Sequence, residues 1–155
     1  MDIKYNKKEY KSDLDVEKLL NALENETNVS VFNYSTRTLK EMNFKILKEL
    51  PLPSNEILEL LKKLKGYKYV DELDDLRHGS FLRWIQISDG VEKFDLKKGG
   101  VLCDIRITNK GIQIVCKVYS YKPCHISFMM DECMIFQKLT DQENIILTAL
   151  DSLEK

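Results

Sequence analysis

LRHGSFLRWI, residues 76–85, and LKKGGVLCDI, residues 96–105, are two writings of one pattern. Each runs leucine, basic, basic or histidine, glycine, small, apolar, leucine, two variable positions, isoleucine. Leu76, Gly79, Leu82 and Ile85 thus correspond to Leu96, Gly99, Leu102 and Ile105. A catalytic constellation is not normally written twice in one chain, whereas a turn that feeds a strand is. Glycine suits a chain that reverses at positive φ, where a Cβ would be strained, and the leucine ahead of it is placed to plug the end of a sheet or barrel. The repeat therefore predicts β structure entered through glycine-marked turns.

Downstream, apolar residues recur with period two. They are Val101, Cys103, Ile105 and Ile107 in one run and Ile112, Ile114, Cys116 and Val118 in the next. TNKG joins these runs, which predicts a hairpin with a four-residue loop and Gly111 at positive φ. Symmetry about that loop sets Cys103 opposite Cys116 on the core side. HISFMM and CMIFQKL, on either side of Asp131 and Glu132, read as a second hairpin. By the repeat, Leu82, Trp84 and Leu102 fall on the sheet's other face, to be covered by a helix or by a partner. The same parity carries Arg83 to the core side, where a charge is costly, and so predicts a bulge in this region.

Upstream, the period is helical. Ser12 and Asp15 begin a helix with the stripe Val16, Leu19, Leu20 and Leu23, and the β-prone VSVFNY interrupts it. Thr38 and Glu41 form a capping box for a second helix, which Pro51 and Pro53 end. Ser54 caps a third, whose face is Ile57, Leu58, Leu60, Leu61 and Leu64 and whose stop is Gly66. DELDDL, residues 71–76, reads as a turn or a single helical turn, and Thr140 with Glu143 caps a C-terminal helix bearing Ile146, Leu147, Leu150 and Leu153. The predicted class is α+β. A helical region over residues 1–66 precedes a small antiparallel β-barrel or bent sheet of about five strands, Tudor-like or OB-like, over residues 67–155, with a C-terminal helix; the two parts are separate or one compact domain.

The 155 residues are 43% hydrophobic and 32% charged, with three prolines and six glycines, which suits a packed core without disulfide or metal staples. The first 18 residues are polar, and no run approaches the roughly 18 apolar residues of a membrane span, so an intracellular protein away from the membrane is expected. Cys103, Cys116, Cys124 and Cys133 lack C-x-x-C spacing and are expected as buried thiols, with neither metal nor cofactor. Residues 76–139 carry ten Lys or Arg against six acids, a mild basic bias short of a phosphate-binding stripe.

LKKLKGYKYVDELDDLRHGSFLRWI, LKKGGVLCDI and DECMIFQKLTDQE together resemble an uncharacterised group of small proteins encoded by large double-stranded DNA viruses of protists, over residues from about 58 to the C-terminus. That resemblance implies a viral setting, in the host cytoplasm or the virion, and no activity or site residue.

Three functions are to be weighed. The first is a non-enzymatic interaction or adaptor protein with a protein partner, for which the Trp84 face is a candidate surface. The second is nucleic-acid binding, with Arg77, Arg83, Lys97, Lys98, Arg106 and Lys117 on phosphates and Tyr119 or Tyr121 stacked on bases. The third is catalysis by His78, Ser80 or His125, against which stands the lack of any triad-like spacing. No catalytic and no metal-ligating residue is assigned.

Overall fold

The computed structural model describes residues 16–25 and 35–153, which form two compact units: one of residues 40–138, the other joining residues 139–153 to the described residues up to 39. The proposed cap at Ser12 and Asp15 and the VSVFNY segment lie outside the described residues.

The larger unit carries a six-stranded antiparallel sheet. Its strands are β1 (Tyr67–Val70), β2 (Phe81–Gln86), β3 (Gly100–Thr108), β4 (Gly111–Val118), β5 (Cys124–Met129) and β6 (Cys133–Lys138), in the order β1-β6-β2-β3-β4-β5. The sheet is open, with β1 and β5 at its edges. β1 adds a sixth strand to the five expected. β5 and β6 are not the expected hairpin: a single 3-10 turn, Met130–Glu132, carries the chain from one edge to a position between β1 and β2. That crossover is short because the sheet curls. Trp84 on β2 and Phe128 on β5 stack with centroids 4.3 Å apart, whereas three inter-strand steps of a flat sheet would hold them about 14 Å apart.

The curl gives the sheet two apolar layers. Inside it, Leu82 and Trp84 pack with Leu102, Ile114, Cys116, Cys133 and Ile135, and Val70 and Leu76 join them. On the other face, Ile85, Met134 and Phe136 meet Leu47 of α2 (Thr36–Leu47), Leu50, and Ile57 and Leu60 of α3 (Ser54–Lys63). β2 and β6 are therefore buried on both sides, and Trp84, 4% exposed, is a core residue and not a docking surface. Parity failed because β3 bulges. Leu102 pairs with Cys116 and Asp104 with Val115, so Cys103 has no opposite number, and Leu102 and Ile105 come to share the inner layer. Cys103 is exposed and does not face Cys116, and Ile107 is 82% exposed.

Both glycines of the repeat take positive φ, +87° at Gly79 and +102° at Gly99, and the two copies pair with each other, Phe81 opposite Val101 and Leu82 opposite Gly100. Gly111 has φ +129° as expected, but the hairpin turn itself is two residues, Asn109 and Lys110, between paired Thr108 and Gly111. Arg83 escapes the core by donating from Nε to the Lys97 carbonyl at 2.9 Å.

Helix starts differ from the expected ones in two places. α2 opens at Thr36 because Ser35 caps it: Ser35 Oγ accepts from Thr38 N–H at 3.2 Å, while Thr38 Oγ1 accepts from Ser35 N–H at 2.6 Å. Thr38 thus closes a cap three residues earlier than the box expected at Thr38 and Glu41. α3 begins after Pro53, with Ser54 as its first residue and no side-chain cap, and Gly66 follows its end at φ +84°. The 71–76 segment holds one 3-10 turn, Leu73–Asp75, fastened by the buried Gln137, whose Oε1 accepts from Arg77 N–H and whose Nε2 donates to the Asp75 carbonyl. Asn43 on α2 meets the outer edge of β1: its Nδ2 donates to the Tyr67 carbonyl at 2.9 Å and its Oδ1 accepts from Tyr69 N–H at 3.1 Å.

In the smaller unit, α1 covers residues 16–24 and α4 covers Asp141–Leu153. Thr140 and Glu143 make the expected reciprocal box, at 3.0 and 3.1 Å, and Glu143, Ile146 and Leu147 are buried. Asn25 donates to Gln142, and Thr36 N–H to Asp151, both at 2.8 Å. Val16, Leu20 and Leu23 of the first stripe are exposed, and Ala22 is the buried residue of α1. No helix among the described residues is long and apolar enough to cross a membrane.

Candidate functional site

The outer face of β3, β4 and β5 holds an open groove of about 540 Å³, lined by Cys103, Asp104, Arg106, Gln113, Val115, His125 and Ser127. Strand pairing explains the set. Asp104, Val115 and Ser127 form one cross-strand row, Arg106 and Gln113 the next, and Lys117 with His125 a third. The β3 bulge completes the groove by turning Cys103 outward, where its thiol donates to the Val115 carbonyl at 3.3 Å.

The groove carries charge of both signs. Arg106 Nε donates to Asp104 Oδ2 at 2.8 Å, and Ile105 N–H donates to Asp104 Oδ1 at 2.9 Å. The Arg106 hydrogen bond is the main reason why the Asp104 carboxyl ionises below its ordinary range, with the Ile105 amide and the positive potential of His78 adding to it. Arg106 is therefore already matched by a carboxylate. The buried thiols are the inert ones: burial pushes Cys116 up to about 12 and Cys133 up to about 11. Cys124 is exposed with Cys103, so two of the four cysteines are not the buried thiols expected.

Beyond the groove the chain leaves β4 through Tyr119, Ser120, Tyr121, Lys122 and Pro123. Tyr121 is wholly exposed and Tyr119 is 68% exposed. Lys117 Nζ stands 5.2 Å from the Tyr119 ring centroid, a cation–π contact, and Ser120 Oγ donates to the Lys122 carbonyl at 2.8 Å, which folds the loop back on itself.

No family model, curated protein or solved structure matches this chain.

The residues singled out from the sequence are thus split. Lys97 and Lys98, exposed at the entry to β3, lie at the same end of the sheet as Lys117, Tyr119 and Tyr121. Arg106 lies farther along β3 in the groove, and Arg77 precedes β2 at the opposite end, its N–H on Gln137. Trp84 is inside the sheet. Asp104, Gln113 and Ser127 were not foreseen, since polar residues alternating with apolar ones announce only a solvated strand face. His78 and His125 are both exposed, and among the described residues neither is hydrogen-bonded to a carboxylate, a hydroxyl or a thiol. No three His, Cys, Asp or Glu side chains among those residues are grouped to hold a metal ion.

Proposed function

We propose that the chain is a non-enzymatic interaction protein that takes a protein partner on the outer face of β3, β4 and β5, with the Tyr119–Tyr121 loop as its aromatic anchor. The observation that carries this is the groove's mixed chemistry: an acid, a base matched to it, an amide, a hydroxyl and an imidazole, next to a wholly exposed tyrosine. Such surfaces suit polypeptide, where tyrosine supplies area and paired charges set register. A polyanion favours unmatched cations, and Arg106 is matched by Asp104. Among the described residues a catalytic reading finds no base aligned by an acid and aimed at a nucleophile.

Strands β2 to β6 are read as a Tudor-like small barrel left open on one side, supported by the strand order, the single turn between β5 and β6, and the Trp84–Phe128 stack. The viral context, in host cytoplasm or virion, belongs to the same proposal and rests on the sequence phrases alone.

Nucleic-acid binding is the second reading, favoured by Lys97, Lys98, Lys117, Tyr119 and Tyr121 at one end of the sheet. One experiment divides the two. The purified chain and its Tyr119→Ala/Tyr121→Ala variant are used to capture partners from lysate, with and without nuclease. A stoichiometric protein that survives nuclease and is lost with the variant is the expected result. Material lost on nuclease treatment overturns the protein reading in favour of nucleic acid, and full capture by the variant overturns the location.

A further inference from the structure

The two edges of the sheet are treated differently. β1 is four residues long, and its outward N–H and C=O groups at Tyr69 and Tyr67 are taken by Asn43. β5 is six residues long, and no strand among the described residues pairs with its outer edge. Proteins usually guard such an edge with lysine, proline, a bulge or a covering element. The β5 sequence CHISFM contains no lysine, acid, proline or glycine, and Cys124, His125, Ile126 and Ser127 are all exposed. Ile126 has the parity of the inner layer, opposite the buried Cys116, yet is 41% exposed. The edge is long, uncharged and partly apolar.

Its flanks are charged with opposite signs. Lys122 lies just ahead of β5, and Asp131 and Glu132 just behind it. An antiparallel copy of the same strand would therefore meet complementary charge at both ends. We infer that the free edge of β5 is where two copies of this chain pair, β5 against β5 about a two-fold axis normal to the sheet, forming one continuous sheet.

Under such an axis, opposed residues share a face. Ile126 then stands opposite Ile126 of the second copy, or Ser127 opposite Ser127. In either register Lys122 of each copy ends beside the Asp131–Glu132 turn of the other, giving two charge contacts per dimer. His125 and Ser127, on the rim of the groove, are brought against the corresponding rim, so the two grooves run together across the axis. The pairing itself does not depend on what the groove binds.

The test is sedimentation equilibrium of the full chain over a range of concentrations, with Lys122→Glu, Glu132→Lys and the two combined. A reversible monomer–dimer equilibrium is expected, weakened about tenfold by each single reversal, which sets two pairs of like charges together, and restored by the combination. A monomer at every concentration up to the solubility limit overturns the inference. So does a dimer indifferent to the single reversals, or one that the combination fails to restore. Hydrogen exchange gives a readout without substitution: amides in residues 124–129 are expected to exchange more slowly as concentration rises, and unchanged exchange there overturns the pairing.

Discussion

Gly79 and Gly99 occupy the same place in the repeated phrase, have nearly the same φ, and should respond very differently to alanine. At either position an alanine must adopt left-handed backbone at a cost of about 1–2 kcal/mol. Stiffening of the unfolded chain adds roughly another 0.4–1 kcal/mol in favour of folding, so the conformational part alone nets about 1 kcal/mol of destabilisation. Around Gly79 the new methyl would meet no heavy atom within 4 Å, and nothing further is lost. Around Gly99 it would overlap the Leu82 carbonyl oxygen and lie 2.7 and 2.9 Å from carbons of the Phe81 ring. The ring can turn; the carbonyl cannot, because Leu82 is held by Gly100 on one side and by Gln137 on the other. Overpacking of this kind costs about 1–3 kcal/mol more, so Gly99→Ala should total about 2–4 kcal/mol against about 1 for Gly79→Ala. Equilibrium urea unfolding followed by far-ultraviolet circular dichroism reads both, and with m near 1–3 kcal/mol/M the midpoints should differ by about 0.3–3 M. Losses equal to within about 0.5 kcal/mol, or a larger loss at Gly79, would refute the claim that close approach of β2 and β3 is what demands the second glycine.

Three further outcomes are expected. Trp84→Ala should destabilise the fold by about 3–5 kcal/mol, and a double-mutant cycle with Phe128→Ala should return a coupling of about 1 kcal/mol; no coupling would mean that the sheet does not curl enough to bring the rings together. Asn43→Ala should cost about 1–3 kcal/mol in thermal or urea unfolding, since it strands two backbone groups of β1, and a cost near zero would show that water replaces the amide. Cys116 and Cys133 hold their protons in the folded chain well past the ordinary 9.0, so their contribution is intact below pH 9 and declines as the unfolded thiols ionise above it. Stability should fall between pH 9 and 11 by up to about 1.4 kcal/mol per pH unit per thiol, and Cys116→Ala should flatten that slope.

Much of the fold was legible where one local rule decides. The glycines at 79, 99 and 111 take the positive φ that their turns required, Thr140 and Glu143 close their box, and the long period-two runs are β3 and β4. What was not legible depended on residues far apart in sequence. YKYV, four residues of mixed polarity, becomes a strand because it pairs with β6, some seventy residues later. HISFMM and CMIFQKL sit at hairpin distance and yet pair with different strands, since only the curl of the whole sheet decides which edges meet. The β3 bulge shifts one residue of register and exchanges the expected faces: Leu102 goes in, Cys103 goes out, and Trp84 joins the inner layer instead of the face expected to be covered by a helix or a partner. The candidate groove inherits that difficulty, because cross-strand rows such as Asp104, Val115 and Ser127 exist only once the register is fixed. Tyr119 and Tyr121 could be found beforehand because a loop rich in tyrosine and lysine after an alternating run announces exposure without reference to any partner strand.

The place of β6 between β1 and β2 also sets a timetable for the chain as it is made. β1 is complete at Val70, but its one partner strand among the described residues begins at Cys133, and the pairs run from Val70 with Ile135 to Tyr67 with Lys138. At roughly 5–20 residues per second, β1 waits about 3–14 s for a strand to pair with, and the inner layer beneath Leu82 and Trp84 lacks Cys133 and Ile135 for as long. During that interval Asn43 can still engage the outer edge of β1, leaving its inner edge open until the last strand arrives. A ribosome that stalls before residue 133 would therefore present β2 to β5 as a sheet whose β2 edge, like the inner edge of β1, still waits for β6. Synthesis of this protein is thus exposed to strand mispairing until β6 has been encoded, after the other five strands of the sheet.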